Sequence, residues 1–154
     1  MNPLDAALAV TYRCNARCVM CGIWSGREVA ESPPTLYRRL PASLRSVNLT
    51  GGEPFLRDDL PQVVEAVQAA CPKAEIVIST NGLLTERIVE VMRRLRGVGV
   101  AVSVDGIGET HDRVRGVEEA FVRAQATLRE LAEHGVGGVR LAFTVTPENM
   151  DHFG

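Results

Sequence analysis

The sequence has 154 residues, 45% of them hydrophobic and 23% charged, with a net charge of −2. That balance suits one folded domain spanning 1–154, which buries roughly 70% of its unfolded surface, and it excludes the strongly basic face of a nucleic-acid binder. It also excludes a membrane span, because no apolar run approaches ~20 residues, and a secretory leader, because residues 1–10 carry Asp5 and no basic start.

Residues 4–11 read as a first strand, apolar at nearly every position and so expected to be buried on both faces. A cysteine-bearing loop follows over 12–26. Residues 31–39 predict a helix: Ser32 and Pro33-Pro34 mark its entry, Leu36, Leu40 and Leu44 recur every four residues, and Pro41 ends it. Residues 45–50 form the second strand and Gly51-Gly52-Glu53-Pro54 the turn after it. A helix then runs to about residue 70, capped by Asp58 or Asp59, with Pro61 in its first turn. Residues 74–79 are the third strand. Thr85 caps the third helix, whose stripe is Ile88, Val91, Met92 and Leu95, ended by Gly97. The fourth strand covers 98–104, a polar loop 105–116, the fourth helix 117–134 with Gly135 beyond its end, and the fifth strand 139–145.

Five strands alternating with four helices predict an α/β fold with a parallel sheet. An open doubly wound sheet and a partial (βα) barrel both satisfy the pattern. In either, ligands collect at the C-terminal ends of the strands. That is where the chain places its polar and glycine-rich turns.

Cys14, Cys18 and Cys21 stand at C-x3-C-x2-C spacing in the first of these turns. Thiolates suit zinc or iron–sulfur clusters. A structural zinc site wants four closed ligands, commonly from two paired motifs, and no second pair is nearby. An ordinary [4Fe–4S] cluster takes four cysteines, so three in one loop suggest a cluster with one iron open to a non-protein ligand. Zinc and bare buried thiols stay as alternatives. Cys71, far along the chain, reads as a small buried residue. Four cysteines with three in one cluster are not a disulfide framework, and a reducing cytoplasmic setting is expected. Among the histidines, His111, His134 and His152 share no ligand spacing, and His134 sits where it serves a helix dipole.

With Gly51-Gly52-Glu53-Pro54, Ser79-Thr80-Asn81-Gly82, Ser103-Val104-Asp105-Gly106 and His111-Asp112-Arg113-Val114-Arg115-Gly116 in this order, the chain from 6 to 147 resembles the radical S-adenosylmethionine (SAM) superfamily. Within it, the chain looks most like the branch of molybdopterin-precursor cyclases, peptide-modifying enzymes and anaerobic sulfatase-maturating enzymes. The resemblance implies a TIM-like partial barrel, normally of six strands, so this chain is expected to be a C-terminally incomplete core. It implies a [4Fe–4S] cluster on Cys14, Cys18 and Cys21, whose open iron is chelated by SAM. Reductive cleavage of SAM then gives a 5′-deoxyadenosyl radical that takes hydrogen from a small-molecule or peptide substrate.

The resemblance further implies that Gly51, Gly52 and Glu53 receive the SAM ammonium. Ser79, Ser103 and an arginine would line the rest of the SAM pocket. Arg115 is favoured over Arg113 by its place before a glycine. The family often has an aromatic residue where Met20 stands, so a stacking contact becomes a thioether contact. Asn81 also fits a plain turn, Asp105-Gly106 likewise, Arg113 and Arg115 also fit solvated surface arginines, and Trp24 is either a cover for the loop or core. Expected partners are an electron donor such as a flavodoxin or ferredoxin, and a chain covering the fifth-strand edge. The alternative is a cluster- and SAM-binding module that is inactive without a partner chain or further C-terminal sequence.

Overall fold

The structure is a computed structural model that describes residues 3–26 and 29–152. These residues form one parallel sheet in the order β1 (Asp5–Thr11), β2 (Ser46–Gly51), β3 (Glu75–Thr80), β4 (Val98–Ser103) and β5 (Val139–Ala142). That order decides between the two predicted topologies. A doubly wound sheet reverses direction at a switch point, whereas sheet order here follows chain order throughout. Right-handed crossovers then all fall on one side, as in a (βα) barrel. The sheet is therefore a barrel segment with open edges at β1 and β5.

The crossovers carry α1 (Leu60–Ala70), α2 (Thr85–Arg94), α3 (Glu109–Arg115) and α4 (Ala120–Glu133). Burial alternates along the central strands. Val47 and Leu49, Ile76 and Ile78, and Val98, Val100 and Val102 are buried, in one core with Leu60, Val63, Val64 and Val67 of α1 and Ile88 and Met92 of α2. Each such side chain contributes roughly 1.5–3 kcal/mol on full burial. The intervening residues (Asn48, Thr50, Val77, Ser79, Gly99, Ala101, Ser103) are only half-buried. They line the concave face, where Ala7, Asn48, Val77 and Gly99 fall in one row across four strands.

Six expectations are corrected. β1 is not buried on both faces: Val10 and Thr11 are buried, but Asp5, Ala7 and Ala9 are exposed, because the first crossover supplies no α-helix and the concave side is open. Residues 31–39 are not an α-helix. A 3-10 turn, Pro34–Arg39, takes their place, burying Tyr37 while Leu36 stays exposed, since prolines crowd both ends. The polar stretch 105–116 is not a loop throughout. It contains α3, started at Gly108 and ended by Gly116 in the left-handed conformation with φ +64°. The fourth helix is accordingly shorter than 117–134. Asp112 receives the backbone N–H groups of Glu119 and Phe121 at 3.0 and 2.8 Å, separating α3 from α4. Strand β5 also stops at Ala142, three residues early, and Asp59 stands before α1 but spends its carboxylate on Arg57 rather than on the helix.

Candidate active site

The cysteine loop is seated between two backbones. On one side the end of β2 presses against it: Gly52 N–H donates to Thr11 O and Glu53 N–H to Arg13 O, each at 2.8 Å. A Cβ on Gly51 would lie 2.3 Å from Thr11 O and one on Gly52 2.0 Å from Arg13 O. The two glycines are thus required by the approach of the chain to itself, not only by a ligand. On the other side, Arg17 and Val19 N–H groups donate to Arg115 and Val114 carbonyls at the end of α3, both at 2.9 Å. Arg57, 1% exposed, fixes the approach to the loop by donating to Val10 O at 2.6 Å and Ser32 O at 3.0 Å while forking onto Asp59.

Held this way, Cys14, Cys18, Met20 and Cys21 line one pocket together with Gly51, Gly52, Ser79, Ser103 and Arg115, at the C-terminal ends of the strands. Ser79 is not free there, since its hydroxyl donates to Asn48 Oδ1 at 2.9 Å. Arg113 is elsewhere, exposed and donating to Thr110 Oγ1 at 3.1 Å. Trp24 is a cover rather than core: it is exposed, lines the pocket and donates to Cys18 O at 3.3 Å. Asn81 both turns the chain, accepting from Leu83 N–H at 3.0 Å, and touches the cysteine loop, donating to Asn15 Oδ1 at 2.7 Å.

Glu53 is placed differently from the other predicted residues. It is fully buried beneath the pocket and accepts from Thr80 Oγ1 at 2.9 Å, Asn81 N–H at 2.8 Å and Phe55 N–H at 3.2 Å. Burial nevertheless pushes its carboxyl up to about 7, the three donors offsetting only part of the desolvation.

Sequence reasoning passed over Asp105 in favour of Ser103. Asp105 is 0% exposed and organises the polar end of the site. Its Oδ2 lies 2.5 Å from the Arg115 guanidinium, and its Oδ1 accepts from Thr144 N–H at 2.8 Å. Its backbone N–H donates to His111 Nδ1 at 2.9 Å, and its carbonyl accepts from Asn149 Nδ2 at 2.9 Å. A carboxylate placed directly after an apolar strand was the available signal. Asn149 and Thr144, brought back from beyond β5, had none.

A larger cavity, about 470 Å3, opens at the opposite end of the strands between the turns 95–97 and 134–138. It contains no thiol, so chemistry rather than size selects the cysteine pocket, whose volume is about 180 Å3. Among the described residues no three of His, Cys, Asp and Glu are grouped to hold a single metal ion. The thiols line a common cavity instead, which fits a polynuclear cluster, where each cysteine ligates a different iron. Burial pushes the Cys14 thiol up, and the neighbouring Cys18, Glu53 and Cys21 act in the same direction. Such a donor set favours a cationic group that neutralises it. Arg115 lines the same pocket, and its Nε is buried without a hydrogen-bond partner.

Residues 8–154 match the Radical SAM superfamily. The chain belongs to that superfamily. Its cofactors are a [4Fe–4S] cluster and SAM. The chain is 38% identical to Fe-coproporphyrin III synthase of Methanosarcina barkeri over 92% of this chain and 37% of that protein. It is 34% identical to pre-heme d1 synthase of Dinoroseobacter shibae over 91% of this chain and 36% of that protein. The fold matches Streptococcus suis SuiB bound to its precursor peptide SuiA with a TM-score of 0.76 at 19% identity, covering 98% of this chain and 36% of SuiB. This radical SAM chain therefore spans little more than a third of the length of these relatives.

Proposed function

We propose that the chain is the cofactor-binding part of a radical SAM enzyme, with Cys14, Cys18 and Cys21 as ligands of a [4Fe–4S] cluster. SAM then occupies the pocket formed by Met20, Gly51, Gly52, Ser79, Ser103 and Arg115. The observation that carries this reading is the convergence of the three thiols with the ends of β2, β3 and β4 on one pocket. When bound and reduced, the cluster supplies the electron that cleaves SAM into methionine and the 5′-deoxyadenosyl radical.

The chain's own residues bind and orient. The Gly51-Gly52 turn brings backbone close to the pocket, and the buried Glu53 that follows it is the carboxyl that an ammonium bound there would draw into its ionised form. Arg115 offers its unpaired Nε to a carboxylate. Met20 and Trp24 cover the loop and limit entry of water. The concave face, with Asn48, Val77, Ser79 and Ala101, is where the reacting C–H bond is presented.

The substrate is a small molecule or a peptide. The names of the synthases above and the peptide bound to SuiB support that range. An inactive module is not favoured, because those relatives are named as synthases. An electron donor of the flavodoxin or ferredoxin type, a reducing cytoplasmic setting, and further sequence or a partner chain over the β5 edge complete the reading.

The test is anaerobic reconstitution with iron and sulfide, followed by electron paramagnetic resonance of the reduced protein. A [4Fe–4S]+ signal that shifts on adding SAM is expected. Cys18→Ala should lose the signal yet keep its helical circular dichroism, because Cys18 belongs to a small cluster with Ala16, Leu83 and Ala120, apart from the main core. Full cluster occupancy in that variant would refute the ligand assignment.

A further inference from the structure

The three thiols are not electrostatically equivalent. Arg115 Nη1 lies 3.6 Å from Cys18 Sγ, and both residues are buried, at 8% and 9% exposure. Cys14 Sγ accepts only from uncharged donors, Ala16 N–H at 3.4 Å and Asn81 Nδ2 at 4.0 Å. Among the described residues, neither Cys14 nor Cys21 has a cationic partner.

The guanidinium cannot swing away from Cys18. Its Nη2 is paired with Asp105, and Asp105 is itself fixed by Thr144, His111 and Asn149. The backbone carbonyl of Arg115 accepts from Arg17 N–H, one residue before Cys18. Side chain and backbone of one residue therefore clasp the same short piece of the cysteine loop.

Hydrogen bonds to the sulfurs and the net charge nearby set the reduction potential of an iron–sulfur cluster. A cation held against a ligand thiolate stabilises the form with one more negative charge. In a site screened from water this stabilisation is larger than at a surface. We propose that Arg115 donates an N–H···S hydrogen bond to the Cys18 thiolate and thereby raises the reduction potential of the bound cluster. This rests on the cluster reading above. It assigns Arg115 a role beyond contact with SAM, and one guanidinium can serve both, because Nη1 faces Cys18 and Nη2 faces Asp105 while Nε has no protein partner.

The experiment is a redox titration of the reconstituted full chain without SAM, read from the electron paramagnetic resonance signal of the reduced cluster, with the electron supplied by dithionite through mediators. Arg115→Met should shift the reduction equilibrium at least tenfold toward the oxidised form, about 59 mV more negative for a one-electron couple. Arg113→Met, on the outer side of α3, should leave it unmoved. A midpoint in Arg115→Met equal to that of the wild type overturns the proposal.

If Arg115→Met takes up no cluster, Arg115→Leu removes both donor and charge with a shorter side chain, and a lowered midpoint there supports the proposal while an unchanged one overturns it. If neither variant loads while circular dichroism matches the wild type, Arg115 serves assembly of the site and not its potential, and the proposal falls. Failure of the wild type to load would instead overturn the cluster assignment itself.

Discussion

Glu53 shows how a residue can be legible by position and unreadable by state. Its place in Gly51-Gly52-Glu53 marks the site, yet only the fold reveals that it is buried with three donors and a carboxyl raised from 4.5 to about 7. The sign of the consequence follows directly. Between 4.5 and 7 the folded state keeps a proton that the unfolded chain releases, so this group makes stability fall as pH rises through that window. Below the window both states are protonated and above it both are ionised, so the contribution is flat on either side. The total change is about 3 kcal/mol. His111 acts oppositely: burial lowers its pKa from 6.5, so it adds stability as pH rises toward that value. The informative quantity is therefore the difference between wild type and Glu53→Gln in urea unfolding at the two ends of the window. The variant should lack the wild type's loss of stability. It should also carry a roughly constant penalty of about 1 kcal/mol, from the amide's poorer fit to the Asn81 and Phe55 donors. Parallel pH profiles for the two proteins would show that Glu53 does not titrate there.

The elements that the sequence pattern made readable are those whose side chains repeat with a fixed period against the core. Ile76-Val77-Ile78 and Val98 to Val102 alternate as strands, and Ile88 and Met92 repeat as a helix. Helix α3 escaped detection because its seven residues carry Glu109, His111, Asp112, Arg113 and Arg115. Its burial comes from contact with the cysteine loop, far away in sequence, and with Phe121 of α4, and not from an apolar stripe. The same distance hides Asp105 and Asn149, which are buried polar residues with partners some 40 positions apart. The Gly-Gly turn was half readable: glycines signal close approach, but not what approaches. The structure supplies that in Arg13 O, 2.0 Å from where a Cβ on Gly52 would stand. Gly52→Ala is therefore expected to cost at least about 2 kcal/mol, toward the upper range for single substitutions, because backbone on both sides must move. Gly22→Ala meets nothing within 4 Å and should be near neutral. Thermal unfolding of the two variants checks this, and equal melting temperatures would mean that the loop is not seated against β2.

At the scale of the whole molecule, sheet order 1-2-3-4-5 gives a barrel segment with two edges, and the edges differ. β1 carries Asp5 and short alanines, which discourage pairing. β5 is four residues long, with Leu141 67% exposed on the side where its neighbour Val102 is fully buried. No helix among the described residues covers Leu141, so the core face of the sheet runs out to solvent there. An uncovered ladder beside an exposed leucine is a site for association, whether with another segment, a partner chain or a second copy. In isolation the chain is expected to self-associate through this edge. Leu141→Lys should raise the monomer fraction in sedimentation velocity at a given concentration while changing the melting temperature little, since the side chain is already in water. Its cysteine pocket lies at the strand ends and is not lined by Leu141, so cluster loading should be retained. A wild-type chain that stays monomeric at every concentration, or a Leu141→Lys variant that associates equally, would show that the β5 edge is not where this barrel segment associates.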